Sequence, residues 1–400
     1  MQSFVCGTRL CFGADAPAAL AGLHAERVLL VTDPYFAENG TAARYAAAFP
    51  GAQVEQFSDV APDPPLSLVA QGVARLQALR PDTVLALGGG SAIDCAKGIA
   101  ALGGLPVRLV AVPTTSGSGS EVTSFAILTQ GGVKHPLVDP ALRPELAILD
   151  PALLEALPPR LIAESGMDAV SHCVEAAAAR EASPVTDALA HSACRTLLRL
   201  LPRSFAGETA VRGDVHLAAS MAALAFDNAG LGACHALAHA LGGRFHVAHG
   251  RLCAMLLPHV IAHHAAEDPH PYAALAAACG LPGVRGLTGT IVRLRARLGL
   301  PASLTEAGVP REAVLEAETD VLEAALADPC ASQAPAPLTR DALQALLRQV
   351  MMTAPVCTAR RSMRCRPCCG RCCERGNAAV RRHRPRHDDD AARLFPPDRP

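Results

Sequence analysis

Apolar residues follow two rhythms along this chain, and the rhythm changes near residue 150. Before that point, short continuous apolar runs alternate with helical stretches. RVLLVTD (27–33), TVLALGGG (83–90), LVAVPTT (109–115) and ELAILD (145–150) read as buried strands. PPLSLVAQGVARLQAL (64–79) carries its apolar residues at helical spacing. Strands alternating with helices predict a parallel sheet with crossover helices, and ligands in such sheets bind at the carboxyl ends of the strands. From residue 151 the texture is different. LLEALPPRLIAESGMDAVSHCVEAAAA, VTDALAHSACRTLLRLL and VHLAASMAALAF are long Ala/Leu-rich runs of helical period, and no alternating β pattern recurs. The expected organisation is an α/β domain over 1–150 with a parallel sheet, then an all-helical domain over 151–350, with prolines in DPALLEALPPR marking the boundary.

Composition narrows the function classes. Four hundred residues suit two domains, and a chain that is 50% hydrophobic and 18% charged can bury a large core. A formal net charge of -1 gives no electrostatic reason to bind nucleic acid or an anionic membrane. The opening MQSFVCGTRLCFGADAP lacks a basic stretch followed by a long apolar run, and no segment approaches a membrane span, so a soluble cytoplasmic protein is expected. Nine of the fifteen cysteines are scattered singly and read as reduced core residues. The other six crowd into residues 351–400, a stretch rich in Arg, Cys and Pro that cannot bury enough apolar surface to fold unaided. That tail reads either as a zinc- and nucleic-acid-binding segment or as disorder, or even a frame-shifted read of GC-rich DNA. The second group of readings is preferred, because Cys368–Cys369 and Cys372–Cys373 are adjacent pairs rather than two separated CxxC pairs.

Four constellations carry chemistry. GGGSAIDCAK (Gly88–Lys97) follows a strand and opens a helix, which lets backbone approach a ligand and presents free N–H groups to a diphosphate. A tight structural turn is the plainer alternative. PTTSGSGSEVT (Pro113–Thr123) also follows a strand and interleaves glycines with hydroxyls that can reach phosphate or ribose oxygens. Asp33 ends the first strong strand, where a carboxylate can accept from a ribose 2′-OH; it is also an ordinary Asp-Pro turn start. Finally, Asp168 and His172 lie four apart on one predicted helix face, His235 and His239 four apart on another, and His246 and His249 follow. One carboxylate and several imidazoles on inward-facing helices make a divalent metal site, and their spacing does not choose between Fe²⁺ and Zn²⁺.

With these motifs in order, residues 1 to about 350 resemble the iron-dependent alcohol dehydrogenases, in particular the branch that handles propanol and ethanol. QSFVCGTRLCFG, FSDVAPDPPLSLVAQGVARLQALRPD and GLGACHALAHALGGRFHVAHG look most like that branch. The resemblance implies an N-terminal dinucleotide-binding domain, a helical C-terminal domain and an active site in the cleft between them. It implies metal ligands at Asp168, His172, His235 and His249, and a proton-relay or substrate-contacting histidine at His239. It implies NAD contacts at Asp33, Asp63, Gly89, Gly90, Ser91, Asp94, Thr114, Thr115, Ser118, Thr123 and Lys134. It further implies Fe²⁺, with Zn²⁺ as the alternative, a short-chain alcohol or aldehyde as substrate, and a homo-oligomer such as a dimer, in the cytoplasm or inside an enzyme microcompartment. The chain departs from the pattern at Ser171 (Thr is usual), Ala240 (Pro is common) and Asp63 (Asn is frequent), and ASQAPAPLTRDALQALL stands where an asparagine-proline-arginine-proline stretch is normal. Two other readings remain open: a zinc-dependent, glycerol-dehydrogenase-like polyol oxidoreductase, and an inactive cofactor-binding scaffold.

Overall fold

The computed structural model describes residues 3–131 and 133–351, which belong to one compact unit. The readings made for the tail beyond Met351 lie outside the described residues.

Six strands form a single parallel sheet: β1 (Arg9–Phe12), β2 (Arg27–Thr32), β3 (Gln53–Phe57), β4 (Thr83–Gly88), β5 (Arg108–Pro113) and β8 (Leu146–Leu149). The spatial order is β1-β8-β5-β4-β2-β3. The order reverses between β2 and β4, since β2 is flanked by β3 on one side and β4 on the other. That reversal opens a crevice at their carboxyl ends, beside Asp33 and Gly89. Both faces of the sheet are covered, which is why the central strands read as unbroken apolar runs. On one face Leu29, Val31, Val84, Ala86, Leu109 and Ala111 cluster with Val69 and Leu76 of α3 (Leu66–Leu79) and Ile93 and Ile99 of α4 (Gly90–Leu102). On the other, Val28, Leu30, Leu85, Leu87, Val110 and Val112 cluster with Leu20, Tyr45 and Phe49. Two short helices, α1 (Pro34–Glu38) and α2 (Thr41–Ala46), follow β2. One feature departs from the expected all-parallel arrangement: β6 (Phe125–Gln130) and β7 (Val133–Val138) form a separate antiparallel hairpin.

The chain from Pro159 onward is helical. Pro159 begins α5 (Pro159–Ala178), where its fixed φ and missing N–H suit the first turn. α5 is buried along almost its whole length, as a helix that is apolar on most sides must be. Around it pack α6 (Pro184–Phe205), α7 (Arg212–Ala229) and α9 (His249–His264), and α8 (Ala233–Phe245) packs on α9. The helices α10 (His270–Ala278), α11 (Gly283–Arg297), α12 (Arg311–Glu316), α13 (Glu318–Ala327), α14 (Pro329–Gln333) and α15 (Arg340–Met351) complete the described fold. Among the described residues no single helix is long and apolar enough to cross a membrane, and the nine cysteines are free thiols.

Candidate active site

Asp168 stands on the buried face of α5, and three imidazoles converge on one of its oxygens. The Nε2 atoms of His172, His235 and His249 lie 3.7, 3.6 and 3.3 Å from Asp168 Oδ1. Each element has a local reason to deliver its residue there. Asp168 and His172 are one turn apart on α5. His235 is in the first turn of α8. His246 ends α8 in the left-handed conformation, with φ of 54°, and this turns the chain so that His249 becomes the first residue of α9. Gly250 lets α9 come in that far: a Cβ on it would stand 1.9 Å from the backbone oxygen of Glu164 on α5.

The electrostatics call for a cation. Burial would push the Asp168 carboxyl up, yet the neighbouring imidazoles of His172, His249 and His235 hold it well below the usual carboxylate range. Burial would lower His249, but Cys253 and Asp168 outweigh it and raise the ring to about 9. His172 goes the other way: burial and its histidine neighbours press it to about 3, so it presents a lone pair at neutral pH. Asp168 Oδ1 and His235 Nε2 are buried without a hydrogen-bond partner. A divalent cation fits these residues, because it satisfies both orphaned atoms and replaces the protons the cluster otherwise draws onto its imidazoles.

Supporting groups surround the cluster. Glu175, two turns along α5 from Asp168, accepts from His235 Nδ1 at 2.6 Å and from the backbone N–H of Gly232, Cys234 and His235. One carboxylate thus caps the N-terminus of α8 and fixes the His235 tautomer, leaving Nε2 to face Asp168. His239 stacks on His249 at 5.1 Å between ring centroids, and its Nδ1 lies 2.9 Å from Asp328 Oδ2. Burial lowers the His239 ring below its ordinary value, although Asp328 opposes the shift. The sequence reading found neither Glu175 nor Asp328. The first had a signal, since it falls at i+7 from Asp168 on the same helix face; the second, 89 residues from its partner, had none. Cys253 was also passed over; its sulfur is 3.5 Å from His249 Nε2.

The expected nucleotide contacts divide between two adjoining cavities. A cavity of ≈ 950 Å³ is lined by Asp33, Gly89, Gly90, Ser91, Thr114 and Thr115, among others. A second, of ≈ 360 Å³, is lined by Asp63, Asp94, Ser118, Thr123, Lys134 and the cluster around Asp168. Gly90, Ser91, Thr115 and Leu161 line both, so the glycine turn leads directly to the imidazoles. At Gly88, with φ of 152°, a Cβ would meet the Ala92 Cβ at 2.6 Å, so the turn into α4 needs glycine. Asp33 serves its turn as well as the cavity: Oδ1 accepts from Phe36 N and caps α1. Asp63, at a φ of 52° that suits Asp or Asn, pairs with Lys134 at 2.7 Å on the cavity edge.

The hydroxyl-rich loop after β5 is bound into the protein more than the sequence suggested. Ser116 pairs with His216, Ser120 donates to Asp94, and Ser124 donates to Asp227, which also holds Arg143. Lys97, fully buried, donates to the backbone oxygens of Thr123 at 2.8 Å and Phe125 at 2.6 Å. Thr114 and Thr115 face the larger cavity, and Ser118, whose Oγ accepts from the Ser120 backbone N–H at 3.4 Å, faces the smaller one.

This chain is similar to known proteins. Residues 7–151 match the family described as iron-containing alcohol dehydrogenase, and residues 162–351 match the Fe-containing alcohol dehydrogenase family, C-terminal. The chain belongs to the iron-containing alcohol dehydrogenase family. Among its relatives, the 1-propanol dehydrogenase PduQ of Citrobacter freundii is 38% identical over 371 residues, covering 88% of this chain and 100% of that protein. A solved 1,3-propanediol oxidoreductase is 31% identical with a TM-score of 0.81, covering 88% of this chain and 100% of its own. A sulfoacetaldehyde reductase from Bifidobacterium kashiwanohense, solved with NAD⁺, is 26% identical with a TM-score of 0.78 over 88% of this chain and 100% of its own. The iron-containing alcohol dehydrogenase fold, a parallel-sheet domain followed by a helical one, is the fold found here.

Proposed function

We propose that this chain interconverts short-chain primary alcohols and aldehydes, such as 1-propanol and propanal, with a divalent metal and NAD(H). The carrying observation is the convergence of three imidazoles on Asp168 in the wall of a cavity that opens into the glycine-lined one. Asp168, His172, His235 and His249 are the residues to hold the metal, Fe²⁺ by family and Zn²⁺ as the alternative. When bound, the metal supplies Lewis acidity toward a substrate oxygen, and the nicotinamide supplies the redox equivalent.

The chain's own residues do the rest. Gly89, Gly90 and Ser91 present the N-terminus of α4 to a diphosphate, and Thr114 and Thr115 offer hydroxyls beside it. Asp33 sits where a ribose 2′-OH can donate to it and where a 2′-phosphate would be repelled, which favours NAD over NADP. Phe125, Ile127, Phe226 and Leu231 line the smaller cavity and shield the reacting carbon from water. His239, neutral near pH 7 and held at Nδ1 by Asp328, has its Nε2 available to take a proton from the alcohol or return one to the alkoxide. The reading parallels the activity that its name gives to the 1-propanol dehydrogenase relative. Metal content measured beside aldehyde-dependent oxidation of NADH and of NADPH tests it. One metal per chain, turnover of propanal and a preference for NADH are expected. A metal-replete protein that reduces neither propanal nor acetaldehyde, or that prefers polyols, would refute it.

A further inference from the structure

The metal cluster contains a donor that neither the sequence nor the family resemblance assigns. The four donor atoms that all lie within 4.8 Å of one another belong to Asp168, His235, His249 and Cys253; His172 stands outside that group. The donor–donor distances are 3.6 Å from His235 to Asp168, 3.3 Å from His249 to Asp168 and 3.5 Å from Cys253 to His249. A tetrahedral ion with nitrogen or oxygen at about 2.0 Å and sulfur at about 2.3 Å has donor–donor edges of roughly 3.3 Å between nitrogen and oxygen and roughly 3.5 Å to sulfur. The three distances lie within about 0.3 Å of these values. Cys253 is one turn beyond His249 on α9, so both side chains leave the same helix face. Its thiol is fully buried, and His235 Nε2, equally buried, has no hydrogen-bond partner and points into the same space.

We propose that Cys253 supplies a sulfur ligand to the metal held by Asp168, His235 and His249, with His172 beside them as in the proposed function, and that the added thiolate strengthens the site's hold on a zinc-like ion relative to the same site without sulfur. The inference rests on the metal site of the proposed function and specifies its chemistry. On binding, the thiol releases its proton to solvent and the thiolate sulfur forms the bond to the metal. Thiolate is a soft donor; it suits Zn²⁺ and Co²⁺ better than it suits a hard, oxygen-rich ion. His172 then stands as an adjustable further donor.

Cobalt is the probe. Wild-type protein loaded with Co²⁺ is expected to show a thiolate-to-metal charge-transfer band in the near ultraviolet at one cobalt per chain. Cys253→Ser should still bind cobalt but lose the band, and its Zn²⁺ affinity in a chelator competition should fall about tenfold or more, with Fe²⁺ affinity falling less. A cobalt-loaded wild type without the band overturns the sulfur ligand and leaves the metal-dependent function standing. A band that survives in Cys253→Ser or Cys253→Ala assigns the sulfur to another cysteine and also overturns the proposal. Failure of the wild type to bind cobalt, zinc or iron at all would sink this inference and the proposed function together. A missing band in the wild type overturns the idea whatever the variants do, and two substitutions, Cys253→Ser and Cys253→Ala, keep the assignment testable if one of them folds poorly.

Discussion

At the scale of single residues, the informative contrast is between His235 and His239, neighbours on α8 that face different carboxylates. His235 gives Nδ1 to Glu175 and aims Nε2 at Asp168, whereas His239 gives Nδ1 to Asp328. The first arrangement suits a ligand and the second a proton carrier. His239→Ala is therefore expected to lower kcat by about 10²-fold or more while metal content stays at the wild-type level. Loss of metal from that variant would move His239 into the ligand set. Asp328→Asn should lower kcat less and change the pH profile, because the ring keeps a partner but loses the charge that favours its protonated form. The i, i+4 spacing made Asp168, His172, His235 and His239 legible in the sequence, since helix geometry alone puts such pairs on one face. It left Asp328 and Cys253 unread: the one meets His239 only through tertiary folding, and the other looks like any small apolar residue of a buried helix.

At the scale of elements, the site depends on how closely α9 can approach α5. Gly250→Ala places a methyl group against the Glu164 backbone oxygen, at 1.9 Å in the present geometry, and neither helix backbone can yield locally. Expected costs are at least about 2 kcal/mol of stability and a measurable drop in metal affinity as His249 is pushed away from Asp168. Calorimetry and metal titration of the variant check both, and unchanged values would show that the two helices are not in fixed contact. Glu175→Gln probes the other approach, that of α8. The amide can still accept a backbone N–H but no longer provides a negative charge for the helix N-terminus or for His235, so metal affinity should fall by roughly 10–100-fold with little loss of helix content. Wild-type affinity in Glu175→Gln would mean that Asp168 alone orients the ring. The central strands were readable because strands buried on both faces are apolar without interruption. The edge strands were not: β1 (RLCF) and β3 (QVEQF) are mostly exposed or half-buried, so they carry no long apolar run. The β6–β7 hairpin escaped because its second strand, VKHPLV, contains a proline and two basic residues.

At the scale of the whole molecule, the loop between β5 and β6 joins the sheet to the helices, and one buried histidine makes that joint sensitive to acid. His216 of α7 meets Ser116 through Nδ1 at 3.0 Å, while its Nε2 is buried without a partner. Burial lowers its pKa from 6.5 to about 4, against the raising influence of a Pro113 backbone contact and Asp150. The sign follows from which state binds the proton. Between pH 6.5 and 4 the unfolded chain protonates this ring and the folded chain does not, so the unfolded state gains and stability falls as pH falls through that window. At about 1.4 kcal/mol per unit, the loss attributable to His216 approaches about 3 kcal/mol near pH 4. Above pH 7 both states hold a neutral ring and the contribution is flat. His216→Gln keeps a polar partner for Ser116 and removes the titration. The difference in unfolding free energy between wild type and variant should therefore change with pH between 7 and 4, wild type losing more, while other acid-sensitive groups cancel because both proteins carry them. Parallel stability curves across that window would mean that the ring reaches solvent in the folded protein, and that the hydroxyl loop is held to α7 less tightly than its bonds through Ser116, Ser124 and Glu121 require.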